Sequence, residues 1–203
     1  MTVDDSQNPP KIERLHASAS APQRRPFHVD PAELTRANAR DSDRQYQMRI
    51  AADGRWFHEG DPIERHALVK LFASVLRRGA DGSFWLVTPA ERGLIDVDDA
   101  PFIAVSVTAE DGASQQPPIR KLHFTTNLDE IVTAGPEHPI RVIQTADGTP
   151  RPYVEIRPGL EALISRAVFY ELVEWAEEQE GADGSVLGVW SDTCFFELGN
   201  IAP

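Results

Sequence analysis

Two arginines stand at matching points of a repeated sequence pattern and are the first candidates for chemistry. Arg65 follows Ile63 by two residues, and Arg166 follows Ile164 by the same spacing. Two guanidinium groups at the junction between the copies would form a clamp for an anion, because each presents several N–H donors. The alternative is that each arginine stabilises its own copy by pairing with a carboxylate such as Asp99. That alternative is favoured, because a residue present in both copies most simply serves the shared fold.

Three aspartates, Asp96, Asp98 and Asp99, crowd one strand end and are candidates for binding a divalent cation or sharing a proton. Strand alternation places Asp96 and Asp98 on one face and Asp99 on the other. A solvated turn with one structural acceptor is therefore the favoured interpretation. Asp99 is kept as a candidate ligand-binding residue.

The central segment holds three further candidates, His123, Thr125 and Asn127. A hydroxyl and an amide at a strand end can bind a polar ligand, although asparagine is also a common turn residue. His123 paired with an aspartate of this segment would supply a general acid and base. No histidine stands two or four residues from another, so the spacing predicts no zinc site. We expect neither a metal nor a cofactor.

Common nucleotide-binding and hydrolase motifs are missing from the sequence. It has no phosphate-binding loop, no Gly-x-Gly-x-x-Gly, no His-Glu-x-x-His and no Gly-x-Ser-x-Gly elbow. Cys194, the only cysteine, lies in an apolar run with Phe195 and Phe196, which favours packing over nucleophilic chemistry. With one cysteine no intramolecular disulfide can form, which fits a reducing cytoplasm.

An internal repeat organises the elements that would position these residues. The pentapeptide Gly-Ala-Asp-Gly-Ser occurs at residues 79–83 and again at 181–185. Upstream of each copy stands a helical apolar pattern, and further upstream an Asp-Gly pair, at 53–54 and 147–148, lies between strand-like segments. Two more strand-like segments follow each pentapeptide. The repeat predicts two ββαββ units.

The predicted fold class is α+β, with two repeated ββαββ units, additional central antiparallel strands and a pseudo-twofold arrangement. We expect a disordered tail over 1–26, a short helical lead-in over 27–46, the first unit over 47–100, central strands over 101–139 and the second unit over 140–200. The second helix should begin near Pro158 and be longer by about two turns, because more residues separate its Asp-Gly turn from its isoleucine. Arg65 should superpose on Arg166.

The charge of the chain limits its partners. Its 203 residues carry a formal net charge of −12, and all of that excess lies after residue 48. A body this acidic repels phosphate backbones and anionic lipid, so neither a nucleic acid nor a membrane is an expected partner. The first ten residues lack the basic and apolar segments of a secretory signal, and no apolar stretch is long enough to span a bilayer. We therefore expect a cytoplasmic protein.

Five motifs spread over roughly residues 45–200 carry a resemblance to a known family. They are Asp53-Gly54-Arg55-Trp56-Phe57, Leu86-Val87-Thr88-Pro89, Asp99-Ala100-Pro101-Phe102, Thr125-Thr126-Asn127 and Arg157-x-Gly159-Leu160-Glu161-Ala162. Together they resemble a bacterial family, number 1285 among the domains of unknown function. The resemblance implies a duplicated α+β fold, no established enzymatic activity and at most a role in signalling or regulation. Before residue 45 the sequence departs from the family, because a polar tail replaces a proline-tryptophan motif.

The favoured functional hypothesis is a non-enzymatic regulatory protein that binds a ligand or partner at the junction of the two repeats. It depends on the missing catalytic motifs and on the tendency of interdomain junctions to form pockets. The expected partner is a small anionic molecule or another protein. The alternative is a metal-independent small-molecule hydrolase or isomerase with a His–carboxylate pair. The candidate ligand-binding residues are Arg65, Asp99, His123, Thr125, Asn127 and Arg166.

Overall fold

The computed structural model describes residues 44–112, 120–146, 148–181 and 184–200. Within these ranges 56% of the residues are in strands and 12% are in helices. The predicted α+β class is therefore wrong, because the described residues form a mostly β structure of three sheets with two short helices. The predicted tail over 1–26 and most of the helical lead-in over 27–46 lie outside these ranges.

The first sheet is built by the first half of the chain. Its strands are β1 (Arg44–Ile50), β2 (Trp56–His58), β3 (Asp61–Pro62), β4 (Leu76–Arg78), β5 (Phe84–Val87) and β6 (Arg92–Val97), with helix α1 (His66–Ser74) between β3 and β4 in the chain. The strand order is β3-β2-β1-β6-β5-β4. Only β1 and β6 run parallel, and that pairing unites the strands before and after α1 in one sheet.

The second half of the chain contributes two sheets. Its strands are β7 (Phe102–Asp111), β8 (Arg120–Thr126), β9 (Ile131–Thr133), β10 (Ile140–Gln144), β11 (Pro150–Arg157), β12 (Leu160–Ile164), β13 (Glu177–Gly181), β14 (Gly184–Ser191) and β15 (Cys194–Asn200), with helix α2 (Arg166–Glu174) after β12. The second sheet has the order β10-β11-β12-β7-β8-β9, in which β12 and β7 are parallel. The third sheet is the antiparallel β13-β14-β15.

Neither half forms the predicted ββαββ unit. In chain order α1 follows strands β1–β3 and precedes β4–β6, and α2 follows β10–β12 and precedes β13–β15. The strands around α1 share one sheet, whereas β12 pairs with β7 and leaves β13, β14 and β15 to form a separate sheet. The element order is thus repeated, but the strand pairing is not, because pairing depends on residues far apart in the chain.

Helix α2 is no longer than α1, since each has nine residues. The expected first turns of α2 form strand β12 instead, in which Leu160, Ala162 and Ile164 are buried and the residues between them are half-buried. A period of two is the pattern of a strand. Ser165 then caps α2 by accepting a hydrogen bond from the Val168 N–H. Within the described ranges no helix has the length and hydrophobicity that a membrane crossing requires.

The two predicted turns are present. Gly54 lies between β1 and β2 with φ +80°, and Gly148 lies between β10 and β11 with φ +79°. Each glycine N–H donates to the carbonyl three residues earlier, Ala51 or Thr145, at 2.8 Å. Positive φ favours glycine because it has no Cβ. The sequence signal for these hairpins is therefore confirmed, although Asp147 itself lies outside the described ranges.

One apolar core connects the sheets and helices. Fully buried members are Trp56 of the first sheet, Phe102 and Phe124 of the second, Leu172 of α2 and Val189 of the third. Burial of large side chains contributes roughly 1.5–3 kcal/mol each. This core fixes α2 against the second and third sheets, and the helix in turn forms one wall of a surface cleft.

Candidate functional site

A cleft of about 500 Å³ opens between helix α2, strand β12 and the β10–β11 hairpin. We call it the α2 cleft, and its lining includes Thr145, Arg151, Leu163, Arg166, Phe169 and Tyr170. Small-molecule sites commonly have volumes of about 300–1,000 Å³. The α2 cleft lies in the second half of the chain, and Asp99 reaches its edge from the end of the first half through Arg151.

Arg166 is the first residue of α2 and is exposed at the α2 cleft. Within the described ranges, no carboxylate or carbonyl contacts its guanidinium. The amino end of a helix carries partial positive charge, so a cation there is unfavourable by about 0.3–1 kcal/mol. Stability alone gives no account of this arginine, whereas an anion in the cleft would relieve both the helix dipole and the guanidinium charge.

Arg151 and Tyr153 hold Asp99 from strand β11. The Arg151 Nη2 donates to Asp99 Oδ2 at 2.5 Å, and the Tyr153 hydroxyl donates to Asp99 Oδ1 at 2.8 Å. Burial, together with the Asp99 carboxylate, raises the pKa of Tyr153, so this hydroxyl stays protonated as a donor. Arg151 thus lines the cleft and also binds Asp99, which is not among the lining residues.

The walls of the α2 cleft are largely apolar. Phe169 and Leu163 are half-buried, and Tyr170 is 58% exposed. Pro150 and Pro152, on either side of Arg151, add rigid apolar surface because proline rings fix the backbone φ. Two guanidinium groups between aromatic and proline surfaces suit a small molecule that combines an anionic group with a flat apolar part.

Arg65 is placed differently from Arg166. It precedes α1, is exposed, and is not among the residues that line the α2 cleft. Matching Arg65 with Arg166 would align buried Val69 with exposed Tyr170, so the predicted superposition of the two helices is wrong. The favoured pairing with Asp99 is also absent, since Asp99 takes its contacts from β11.

His123 forms a His–carboxylate pair, but its partner is Glu110 and not the expected aspartate. Its Nε2 lies 3.2 Å from Glu110 Oε2 and its Nδ1 lies 2.8 Å from Thr133 Oγ1. The Glu110 side chain is 73% exposed, and none of the three residues is among those that line the α2 cleft. The pair lies at the exposed surface of the second sheet, so the α2 cleft does not provide the enclosed substrate site that the predicted hydrolase or isomerase requires.

Asn127 has a structural role at the contact between the halves. Its Oδ1 accepts a hydrogen bond from the Ile103 N–H at 3.0 Å, and its Nδ2 donates to the Gly54 carbonyl at 3.4 Å. Asn127 therefore joins the β1–β2 turn to the second sheet. Thr125 is half-buried and pairs in register with Ser106 on the outer face of β8. The structure does not bring these two residues to the α2 cleft.

The remaining aspartates give no cation site in the described ranges. Asp98 accepts a hydrogen bond from Arg49 Nη1 at 2.7 Å, and Asp96 is exposed. No group of three His, Cys, Asp or Glu side chains in the described chain has the arrangement that holds a metal ion. Asp98 and Asp99 instead bind arginines of different sheets.

Arg151 and Tyr153 are functional candidates that the sequence pattern did not indicate. They stand two residues apart on β11, so both side chains point to the same face of the strand. The available signal was an arginine between two prolines directly after a predicted hairpin turn. It did not identify the partner, because Asp99 is 52 residues earlier in the chain.

Comparison with known proteins confirms the family resemblance. A model of the N-terminal domain of DUF1285, a domain of unknown function, matches residues 39–100, and a model of its C-terminal domain matches residues 101–198. The chain is similar to the crystal structure of a DUF1285 family protein from Silicibacter pomeroyi DSS-3, with 41% identity and a TM-score of 0.69 over 83% of this chain and 94% of that chain. A DUF1285 family protein from Shewanella baltica OS155 shows 26% identity and a TM-score of 0.46 over 64% of this chain and 91% of that chain. No curated protein matched.

Proposed function

The chain belongs to the DUF1285 family, whose name assigns no activity, and we propose that it is a non-enzymatic regulatory protein that binds a small organic anion in the α2 cleft. The observation that carries this proposal is Arg166. It is exposed at the cleft, stands at the unfavourable end of a helix dipole, and has no carboxylate partner within the described ranges.

Three further features support an organic anion as the ligand. Arg151 supplies a second guanidinium at the same cleft. Phe169 and Tyr170 provide aromatic surface beside it, and the volume of about 500 Å³ suits a small molecule. The net charge of −12 disfavours long polyanions, because repulsion by the whole body adds up along them.

The hydrolase or isomerase alternative has weaker support. A general acid or base must reach the reacting group, within about 2.6–3.2 Å or through one water. Two His–carboxylate pairs occur in the described ranges, His123 with Glu110 and His66 with Asp129, and none of these four residues lines the α2 cleft. We therefore favour binding over catalysis.

Benzoate is a suitable probe, because it joins one carboxylate to one flat ring. We expect it to raise the melting temperature of the wild-type protein, since a ligand at about 100 times its Kd stabilises by about 2.7 kcal/mol. Titration calorimetry of Arg166→Met should show affinity at least about tenfold weaker, as a charge-assisted hydrogen bond contributes about 1.5–3 kcal/mol.

Arg65→Met is the matched control. It removes the same side chain from the start of the other helix, away from the α2 cleft. Its benzoate affinity should equal that of the wild type, and its stability should change by no more than about 0.5 kcal/mol, as at other exposed positions. Equal loss of binding in both variants, or no stabilisation of the wild type by any organic anion, would contradict the proposal.

A further inference from the structure

Asp99 lies directly behind one of the two cleft arginines. Its side chain is 17% exposed, against 39% for Arg151, so the carboxylate is the inner partner of the pair. The Tyr153 hydroxyl donates to its other oxygen at 2.8 Å and fixes the carboxylate in place. The remaining N–H donors of the Arg151 guanidinium are not used in the described ranges, because its one contact there is through Nη2, and Arg151 is a lining residue of the cleft.

The two arginines and Asp99 together leave one uncompensated positive charge at the α2 cleft, and a ligand can balance it. Among the described lining residues, only Arg151 and Arg166 carry charge. The Asp99 carboxylate, 2.5 Å from Arg151, neutralises the charge of that guanidinium but leaves its donors available. Arg166 has no such carboxylate within the described ranges and keeps its full charge.

We infer that Asp99 determines ligand specificity, and that it restricts the α2 cleft to a monoanion with a flat ring. This inference depends on the proposed function. A carboxylate fits because Arg166 balances its charge while Arg151 donates hydrogen bonds to it. The ring fits against Phe169 and Tyr170, since aromatic rings stack offset or edge to face.

A dianion is disfavoured by the same arrangement. Its second negative charge has no uncompensated cation among the described lining residues and lies near the Asp99 carboxylate. Like charges separated by a few ångströms in a partly buried site repel strongly enough to weaken binding by about tenfold or more. Asp99 acts through Arg151, so it is a positioning residue that sets the charge the cleft accepts.

Three probes with the same ring test this inference: benzoate, a monoanion; phenyl phosphate, a dianion at pH 8; and neutral benzamide. In calorimetry at pH 8, the wild type should bind benzoate most tightly, phenyl phosphate more weakly and benzamide most weakly. Asp99→Asn keeps an oxygen acceptor for Arg151 and Tyr153 but removes the charge. It should raise the affinity for phenyl phosphate relative to benzoate by about tenfold.

The outcomes separate the inference from the proposed function. An unchanged ratio of phenyl phosphate to benzoate affinity in Asp99→Asn, with both probes still bound at the cleft, overturns the inference alone. Failure of the wild type to bind either anion overturns both.

Arg151→Gln provides a second test if Asp99→Asn does not fold. It removes the cation that pairs with Asp99, so the Asp99 carboxylate then opposes the charge of Arg166 and net attraction for an anion should vanish. The preference for benzoate over benzamide should fall to about equal affinity. A preference that persists at the wild-type ratio overturns the inference.

Discussion

Helix α1 and the β1–β2 turn make hydrogen bonds to side chains of the second half of the chain, whereas helix α2 and the β10–β11 turn border an open cleft. Asn127 contacts the carbonyl of Gly54, and Arg157 Nη2 donates to the Ala73 carbonyl near the end of α1. A methyl group built on Gly148 would meet nothing within 4 Å. Elements at the same place in the repeated order thus contact the other half of the chain in one region and border open space in the other.

The contacts of Arg157 and Arg166 show how an arginine that stabilises the fold differs from one that can bind a ligand. Arg157 is 27% exposed, donates to both Ala73 and Glu130, and stacks over the Phe102 ring at 5.2 Å. Arg166 is exposed and has no such contact in the described ranges. An arginine that is half-buried and donates to groups of the fold stabilises it, as Arg157 does through Nη2, whereas an exposed arginine beside a cleft is available to a ligand.

The largest expected effect compares the two turn glycines. Gly54→Ala and Gly148→Ala both place an alanine at positive φ, which costs about 1–2 kcal/mol. At Gly54 the new methyl would also lie 2.8 Å from Asn127 Nδ2 and from Ile103 Cγ1, which adds about 1–3 kcal/mol of overpacking. Urea denaturation should therefore show Gly54→Ala to be the less stable variant. Equal losses would mean that the first turn is no more tightly covered than the second.

Replacement of Arg157 should have the next largest effect. Arg157→Met removes the hydrogen bonds to the Ala73 carbonyl and the Glu130 carboxylate, at 2.9 and 3.0 Å. We expect the free energy of unfolding to fall by about 2–3 kcal/mol, because hydrogen bonds with a charged partner contribute about 1.5–3 kcal/mol. Arg166→Met, measured by the same urea titration, should change stability little. A larger loss in Arg166→Met would reverse the assignment of the two arginines.

The smallest effect concerns Asp129, which joins α1 to the turn after β8. Its carboxylate lies 3.2 Å from His66 Nε2 and 3.1 Å from Lys70 Nζ, and these contacts, His66 first, lower its pKa below the usual value of 3.8. A carboxyl group with a lowered pKa stabilises the fold above its unfolded pKa, and this contribution is lost as pH falls through the folded value. Asp129→Asn should therefore be slightly less stable near neutral pH, and the gap should close below about pH 4. A difference in the free energy of unfolding between the two proteins that stays constant down to pH 2 would show that ionisation of Asp129 does not contribute to stability.

Local features of the fold were predictable from the sequence. The Asp-Gly turns, the hairpins after each pentapeptide and the family resemblance follow from short motifs, and the structure and comparisons confirm them. The fold class was wrong because Leu160–Ile164, with apolar residues near helical spacing, forms strand β12. The parallel pairings of β1 with β6 and of β7 with β12 join distant segments, and no local pattern in the sequence specifies them.

The candidate site was predictable only in part. Arg166 was identified by its place in the repeat, and the structure puts it at the α2 cleft. Arg65 was identified by the same signal and lies elsewhere, because the repeat preserves element order but not surroundings. Arg151 was missed, since its role depends on Asp99, which is remote in sequence.

A bromine atom can locate the ligand directly. Crystals of the wild-type protein soaked with 4-bromobenzoate should give an anomalous difference peak for bromine against Phe169 and Tyr170. The carboxylate should lie within hydrogen-bond distance of Arg166, and crystals of Arg166→Met should lose the peak while those of Arg65→Met retain it. A bromine peak at the start of α1, or one in the α2 cleft that survives Arg166→Met, would contradict the central claim that the open arginine of the second region is the one that binds.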